Sequence, residues 1–316
     1  MRKIICTLFM AYCTFISMNA QTLSSVASPD GSIVLRIGLK DNDLTYDVRK
    51  SGKTVLMEAP IRMTVDGAEI CNSPRLLSSD SYKTDDTYPI RGSHSMAVDK
   101  SNGLLLKLKN EQLKTDFILE ARAYNDGIAF RLILPGKNKQ ARTPDEHTVF
   151  TLPAGSQVWY HDMYCHYEGL HQKKEISEIT KGEWAAPPVT VQLPGNSGYL
   201  CLTESALMNY AGMSFQANGN NGFETRLGHA QPSSYAFAHD YSFEDARRLS
   251  LPATIIGTIT TPWRAVVIVD DLNGLVNTDL ITNLAPAPDK KLFPKGVNTE
   301  WVKPGRSVWC WLDGGA

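Results

Sequence analysis

The fold is decided by residues 116–134, which read DFILEARAYNDGIAFRLIL. Asp116–Ala123 and Ile128–Leu134 are apolar runs of the length and composition typical of strands. The tripeptide between them, NDG at 125–127, consists of residues that tolerate the positive φ angles of a tight turn. The segment therefore predicts an antiparallel β-hairpin.

Short strand-like runs recur on both sides of this hairpin. Turn residues such as those at 29–31 (PDG) and 51–53 (SGK) separate them. The predicted strands are Ser32–Leu39, Leu44–Val48, Leu104–Leu108, Val189–Leu193, Tyr199–Thr203, Ala253–Ile259 and Ala265–Val269. In the first of these runs, Ile33, Leu35 and Ile37 fall on one face, as expected of a strand with one face buried.

Helical signals are few. Asp270–Asn283 predicts one short helix, which Gly274 weakens, and residues 242–245 predict one further turn. No alternation of strands and helices is evident, which argues against nucleotide-binding α/β folds. We therefore expect an all-β chain that forms a large antiparallel β-sandwich, with two sheets packed face to face.

Composition and charge restrict the class of protein further. The 316 residues are 42% hydrophobic and 21% charged, which is typical of a folded globular chain and excludes a disordered or coiled-coil one. Lys and Arg number 32 against 33 Asp and Glu. This balance predicts no nucleic-acid partner, because such partners select basic surfaces.

The first twenty residues predict a secretory signal. Met1-Arg2-Lys3 is followed by an uncharged, mostly apolar run to Ile16 and by small residues ending at Ala20. The apolar run is shorter than the ~20 residues that cross a bilayer. We expect cleavage after Ala20, no membrane span, and a periplasmic or secreted protein. Four cysteines lie beyond the signal: Cys71, Cys165, Cys201 and Cys310. The sequence leaves open whether they form disulfides or remain isolated thiols.

A Pro- and Ala-rich stretch divides the rest of the chain. Residues 285–300 predict a linker between a β domain at 21–284 and a short piece at 301–316. Ser307–Leu312 in that piece has the pattern of a buried strand. A lone apolar strand cannot bury itself, so we expect it to be the first strand of a further domain.

The chain resembles the N-terminal part of glycoside hydrolase family 97, which comprises exported α-glucosidases and α-galactosidases. The similarity rests on the order and spacing of short motifs across the chain. The motifs are Ser28-Pro29-Asp30-Gly31, Tyr124–Arg131, Tyr167-Glu168-Gly169, Thr261-Pro262-Trp263-Arg264, Asp271-Leu272, Leu275-Val276-Asn277, Asn283-Leu284-Ala285 and Trp301-Val302-Lys303-Pro304-Gly305.

This resemblance implies a fold and an activity. The N-terminal domain would be a supersandwich of the galactose-mutarotase type, followed by a (β/α)₈ barrel that carries the catalytic carboxylates. Residues 301–316 would be the start of that barrel, the rest of which is missing from the sequence. We therefore expect a carbohydrate-binding accessory domain that is not catalytic by itself. The complete enzyme would hydrolyse terminal α-glucosidic or α-galactosidic bonds in an oligosaccharide or glycan.

The segment from Trp159 to Trp184 is the candidate carbohydrate site. It is rich in aromatic side chains and carboxylates and has little periodicity, as functional loops often do. Aromatic faces stack on the C–H faces of pyranose rings. The predicted carbohydrate-binding residues are Trp159, Tyr164, Tyr167 and Trp184.

The resemblance also implies a calcium ligand in this segment. Glu168 would reach the active site and hold Ca²⁺ together with carboxylates of the barrel. One glutamate cannot supply the about six to eight oxygen ligands of Ca²⁺, so we expect weak or no binding by this chain alone. The nearby His161, His166 and His171 recur every five residues, a spacing that gathers three ligands on neither a strand nor a helix.

Two alternatives stay open at the level of sequence. A free-standing aldose 1-epimerase would share the sandwich and would need an internal base and acid, for which Glu204 and His161 or His166 are conceivable. A non-catalytic glycan-binding protein would need no such pair. No motif supports the epimerase, and the order of the family motifs favours the accessory domain.

Overall fold

The hairpin at 116–134 lies within the larger of two main sheets of the computed structural model, which describes residues 21–162, 169–228, 252–298 and 300–307. Its strands pair from Tyr124↔Gly127 to Ile118↔Ile133, so Asn125 and Asp126 form a two-residue turn. The predicted hairpin is therefore confirmed.

Two antiparallel sheets contain most of the described strands. The eight-stranded sheet has, in spatial order, β1 (Gln21–Ala27), β2 (Ile33–Lys40), β3 (Asp43–Lys50), β4 (Lys53–Pro60), β13 (Val149–Thr151), β20 (Gly222–Leu227), β19 (Met213–Ala217) and β16 (Trp184–Ala185). The ten-stranded sheet has β15 (Gln172–Glu175), β14 (Gln157–Tyr160), β17 (Val189–Gln192), β18 (Tyr199–Ser205), β23 (Trp263–Val269), β10 (Gly127–Leu134), β9 (Thr115–Tyr124), β8 (Met96–Asn110) and β7 (Pro74–Pro89), with β22 (Ile259–Thr260) also on β10. Small sheets pair β11 (Ala141–Arg142) with β21 (Ile255–Ile256), and β12 (Pro144–Glu146) with β5 (Met63–Val65) and β6 (Ala68–Glu69).

The main core lies between the two large sheets. Ile33, Leu35 and Ile37 are fully buried on the inner face of β2, as their alternation predicts. Inner-facing rings of both sheets meet at the centre, where Tyr46 and Phe130 have ring centroids 4.9 Å apart. These contacts confirm the predicted all-β sandwich.

A smaller apolar cluster covers part of the outer face of the ten-stranded sheet. It contains Trp263, Tyr124 and the buried Leu280 of α2 (Leu280–Asn283), which follows α1 (Leu272–Asn277). The prediction of one helix over 270–283 is wrong, because the chain is extended at Thr278 and two short helices form instead. The Thr278 hydroxyl donates to Asp126 Oδ2 at 2.5 Å, so a bond to the central hairpin ends α1.

The predicted strand Ala253–Ile259 is also wrong as a single element. It is divided into β21 and β22 at Gly257, whose φ is +88°. The Gly257 carbonyl accepts a hydrogen bond from Arg142 Nη2 at 2.8 Å, and its N–H donates to Gln140 O. Glycine adopts this left-handed backbone at little cost, and the strand is interrupted there. Residues 242–245, predicted as a helical turn, lie outside the described residues.

The chain divides into two compact units after Leu284. In the second unit, the described residues 285–298 and 300–307 contain no helix or strand, and all are exposed. The predicted leader at 1–20 and most of the predicted strand at 307–312 lie outside the described residues. Within the described part of the chain, no helix combines the length and apolar character needed to cross a membrane. Cys71 and Cys201 are free thiols, and burial raises the pKa of Cys201 to about 11.

Candidate functional site

The hairpin of β14 and β15 frames the segment that the sequence singles out. Trp159 pairs with Lys173 and Tyr160 with Gln172, so residues 161–171 leave and re-enter the sheet at adjacent positions of one hairpin. Tyr164, Tyr167 and Glu168 belong to residues 163–168, which lie outside the described residues. The structure therefore defines where this segment is attached.

A carboxylate anchors the hairpin. Tyr160 Oη donates to Glu183 Oε2 at 2.6 Å, Lys174 Nζ donates to the same oxygen at 2.9 Å, and Thr180 N donates to Oε1 at 2.8 Å. Burial raises the pKa of Glu183, but these hydrogen bonds outweigh it and lower the pKa to about 2. Glu183 is therefore ionised and ties the β14–β15 hairpin of one sheet to the start of β16 in the other.

Trp159 lies on the outer face of the ten-stranded sheet. Its neighbours Val158 and Tyr160 point into the main core, so strand alternation turns the indole outward. Lys173 Nζ lies 4.8 Å from the ring centroid, a cation–π contact that covers one face of the ring.

Trp184 lies on the outer face of the other sheet. Ala185 is in the main core, whereas Trp184 is 41% exposed and pairs with Gln216 on β19. The structure therefore places Trp159 and Trp184 on the outer faces of different sheets. The hydrogen bond between the two sheets is made instead by their sequence neighbours, Tyr160 and Glu183.

A row of polar side chains continues from Trp184 across β19 and β20. Arg226 Nε donates to Gln216 Oε1 at 3.1 Å, and Arg226 Nη1 donates to Glu224 Oε1 at 2.6 Å. His147 Nδ1 lies 2.6 Å from Arg226 Nη1. Sequence analysis missed this row. The polar alternation in 214–216 and 224–226 indicates outward positions, but it does not show that they lie beside Trp184.

Two of the three spaced histidines come together. The rings of His161 and His171 have centroids 4.9 Å apart, while His166 lies outside the described residues. The His161 carbonyl accepts a hydrogen bond from Ala186 N at 2.9 Å, which holds the start of the 161–171 segment. Among the residues that the structure describes, no group of three or more His, Cys, Asp or Glu side chains is placed to hold a metal ion.

Glu204, the conceivable epimerase base, is part of a buried ion cluster. Its Oε2 accepts from Arg264 Nη1 at 2.7 Å and its Oε1 from Met213 N at 3.1 Å. Arg264 is 1% exposed and also bonds both oxygens of Glu146. Both oxygens of Glu204 are thus engaged in neutralising a buried guanidinium, which does not favour a role as general base.

The buried motif at 261–264 has a structural role as well. Trp263 lies on the outer face of the ten-stranded sheet, opposite to Arg264, and two guanidinium groups contact its ring. Arg131 is 4.4 Å and Arg122 is 5.2 Å from the ring centroid. The motif therefore couples the buried ion cluster to the outer layer of the ten-stranded sheet.

Comparison with known proteins identifies the family. The model of the glycosyl-hydrolase 97 N-terminal domain matches residues 26–287. A retaining alpha-galactosidase from Bacteroides thetaiotaomicron is 28% identical over 98% of this chain and 47% of its own length. A probable retaining alpha-galactosidase from Streptomyces bingchenggensis is 24% identical over 98% of this chain and 44% of its own length. The chain thus spans about half the length of these curated relatives.

Solved structures show the same fold. A glycoside hydrolase family 97 enzyme from Pseudoalteromonas sp. strain K8, in complex with acarbose, aligns with a TM-score of 0.71 at 20% identity, over 84% of this chain and 38% of that one. A beta-arabinopyranosidase aligns with a TM-score of 0.70 at 20% identity, over 84% of this chain and 43% of that one.

Proposed function

Because the chain belongs to glycoside hydrolase family 97 and contains the N-terminal domain of that family, we propose that it serves as the accessory domain of an exported α-glycosidase. The substrate is a glycan or oligosaccharide with a terminal α-galactosidic or α-glucosidic bond. The names of the two curated relatives favour the galactoside. Catalysis is supplied by the carboxylates of a (β/α)₈ barrel, and this domain supports that active site.

The attachment of residues 161–171 is the observation that carries this proposal. Strand pairing fixes both ends, and the Tyr160–Glu183–Lys174 bonds fix the hairpin beneath them. Tyr164, Tyr167 and Glu168 lie between these two strands in the sequence, and in this proposal they contact the neighbouring domain.

In this proposal, Glu168 contributes one ligand to a calcium ion. Carboxylate oxygens are the donors that Ca²⁺ prefers, and several of them are needed. The described residues bring no further cluster of such ligands together. We propose that the barrel supplies the others, and we expect the chain by itself to bind Ca²⁺ weakly or not at all.

Hydrolysis assays test the accessory role. We expect the purified chain to release no p-nitrophenol from p-nitrophenyl α-galactoside or α-glucoside, with Ca²⁺ or with a chelator. Joined in frame to the C-terminal half of the Bacteroides relative, it should support turnover. Turnover by the chain alone, or none by a folded chimera, would contradict the proposal.

The calcium ligand is tested in the same chimera. Glu168→Gln should lower turnover at limiting Ca²⁺ by roughly tenfold or more. Loss of even a residue that only supports a metal ligand typically costs about 10–100-fold in affinity or activity. The matched control is Glu58→Gln, which removes the surface ion pair between Glu58 of β4 and Lys40 of β2. If calorimetry shows micromolar Ca²⁺ binding by the chain alone, lost only in Glu168→Gln, the site is complete without a barrel and the shared-site proposal is wrong.

A further inference from the structure

We propose that the outer face of β16, β19 and β20 is a second saccharide-binding surface, which takes a neutral glycan chain at Trp184, Gln216, Glu224, Arg226 and His147. We call these five residues the Trp184 platform. The inference rests on the proposed function only for the class of ligand. The site itself follows from the placement of described side chains on a sheet other than the one that carries residues 161–171.

Strand register aligns the platform. Trp184 pairs with Gln216, and Gln216 pairs with Glu224, so the three side chains form a line across three neighbouring strands. At about 4.8 Å between strands, the line extends about 10 Å. The alternate residues Ala185, Phe215 and Phe223 are buried in the main core, which turns the line outward. A line of this length fits a short run of sugar rings.

The polar part of the platform is held in place before any ligand arrives. Arg226 bonds Gln216 and Glu224 and lies against His147, and Gln216 Nε2 donates to Gly182 O at 3.2 Å. The side chains of Arg226, Glu224 and His147 are only 31%, 26% and 30% exposed, so they are ordered by their neighbours yet open to solvent. Ordering before binding reduces the entropy that binding costs.

The mixture of groups selects a neutral polyhydroxyl ligand. The indole of Trp184 offers an exposed apolar face for the C–H side of a pyranose. The glutamate accepts hydrogen bonds from hydroxyl groups, the arginine donates hydrogen bonds to hydroxyl oxygens, and the glutamine amide can do both. Arg226 pairs with Glu224 at 2.6 Å and His147 Nε2 lies 3.3 Å from Asp145 Oδ2, so each basic group of the platform faces a carboxylate and no excess of positive charge is left for an acidic polymer.

Affinity electrophoresis tests the platform with residues 21–316. The probes are soluble amylopectin and guar galactomannan, each cast into a native gel. We expect retarded migration in at least one gel, and a roughly tenfold weaker apparent affinity for Trp184→Ala, as is typical of an exposed aromatic anchor. Gln216→Ala should weaken binding as well. The matched control is Trp301→Ala, which removes a tryptophan that is 78% exposed in the second unit.

Three outcomes decide the proposal. Loss of retardation in Trp184→Ala, with unchanged melting temperature and normal binding by Trp301→Ala, supports the platform. Migration unaffected by either polysaccharide overturns it, as does equal retardation of the wild type and Trp184→Ala. The hydrolysis assays report turnover of p-nitrophenyl glycosides, which contain one sugar ring, whereas this assay reports binding of a polysaccharide. Failure of one assay is therefore distinguishable from failure of the other.

Discussion

At the scale of single residues, Gly103 shows how an outer-face contact determines a residue type. The ring of Tyr82 lies directly on Gly103, and a Cβ at that position would be 2.1 Å from Tyr82 Cζ. Tyr82 Oη donates to Glu120 at 2.6 Å and accepts from Arg122 Nε at 2.9 Å. Burial, reinforced by the bond to Glu120, raises the pKa of Tyr82 to about 12, so the phenol stays a donor.

We predict that Gly103→Ala displaces the Tyr82 ring and breaks both of its hydrogen bonds. The free energy of unfolding should fall by about 1–3 kcal/mol, the usual cost of overpacking. Urea denaturation measures this change. Gly92→Ala is the control, because a Cβ at residue 92 meets no atom within 4 Å. Equal stability of the two variants would show that the ring moves away at no cost.

At the scale of elements, Glu183 links the β14–β15 hairpin to β16, and this link depends on pH. The pKa of Glu183 is lowered from 4.5 to about 2 in the folded protein. A carboxyl group with a depressed pKa stabilises the fold above its unfolded pKa, and this contribution is lost as the pH falls through the folded value. The link should therefore be intact at pH 6 and should weaken between about pH 4.5 and pH 2.

Comparison of the wild type with Glu183→Gln tests this link. The wild type should be more stable at pH 6, because the amide loses the charged bonds to Lys174 and Tyr160. The difference in unfolding free energy should shrink steadily as the pH is lowered to 2.5. A difference that does not vary with pH would show that the charge of Glu183 contributes nothing to the fold.

At the scale of the whole molecule, the boundary after Leu284 predicts a pattern of cleavage. The described residues of 285–307 are exposed and contain no helix or strand, so their backbone is open to a protease. Limited trypsin treatment should cut first at the lysines near residue 290 and leave a fragment that ends there. Mass spectrometry identifies the product. Full resistance of this stretch, or earlier cleavage within the sandwich, would contradict the prediction.

The sequence by itself determined several of the strands, the central hairpin, the sandwich class and the family. Alternation at Ile33, Leu35 and Ile37 and the turn residues at 125–127 are local properties, so they can be read without knowing which strands pair. The family motifs, such as the one at 261–264, are likewise recognised by their order and spacing along the chain. The association of these strands into two packed sheets follows from their apolar faces, which need a partner to bury them.

Only the tertiary structure decided where the side chains of the candidate site point. Trp159 and Trp184 occur in one aromatic segment, yet they lie on the outer faces of different sheets, because Trp159 pairs with Lys173 and Trp184 with Gln216. The division of 270–283 into α1 and α2 depends on the bond from Thr278 to Asp126. Each of these outcomes rests on a pairing or bond that no local pattern encodes, because long-range register, not composition, determines which face a side chain occupies.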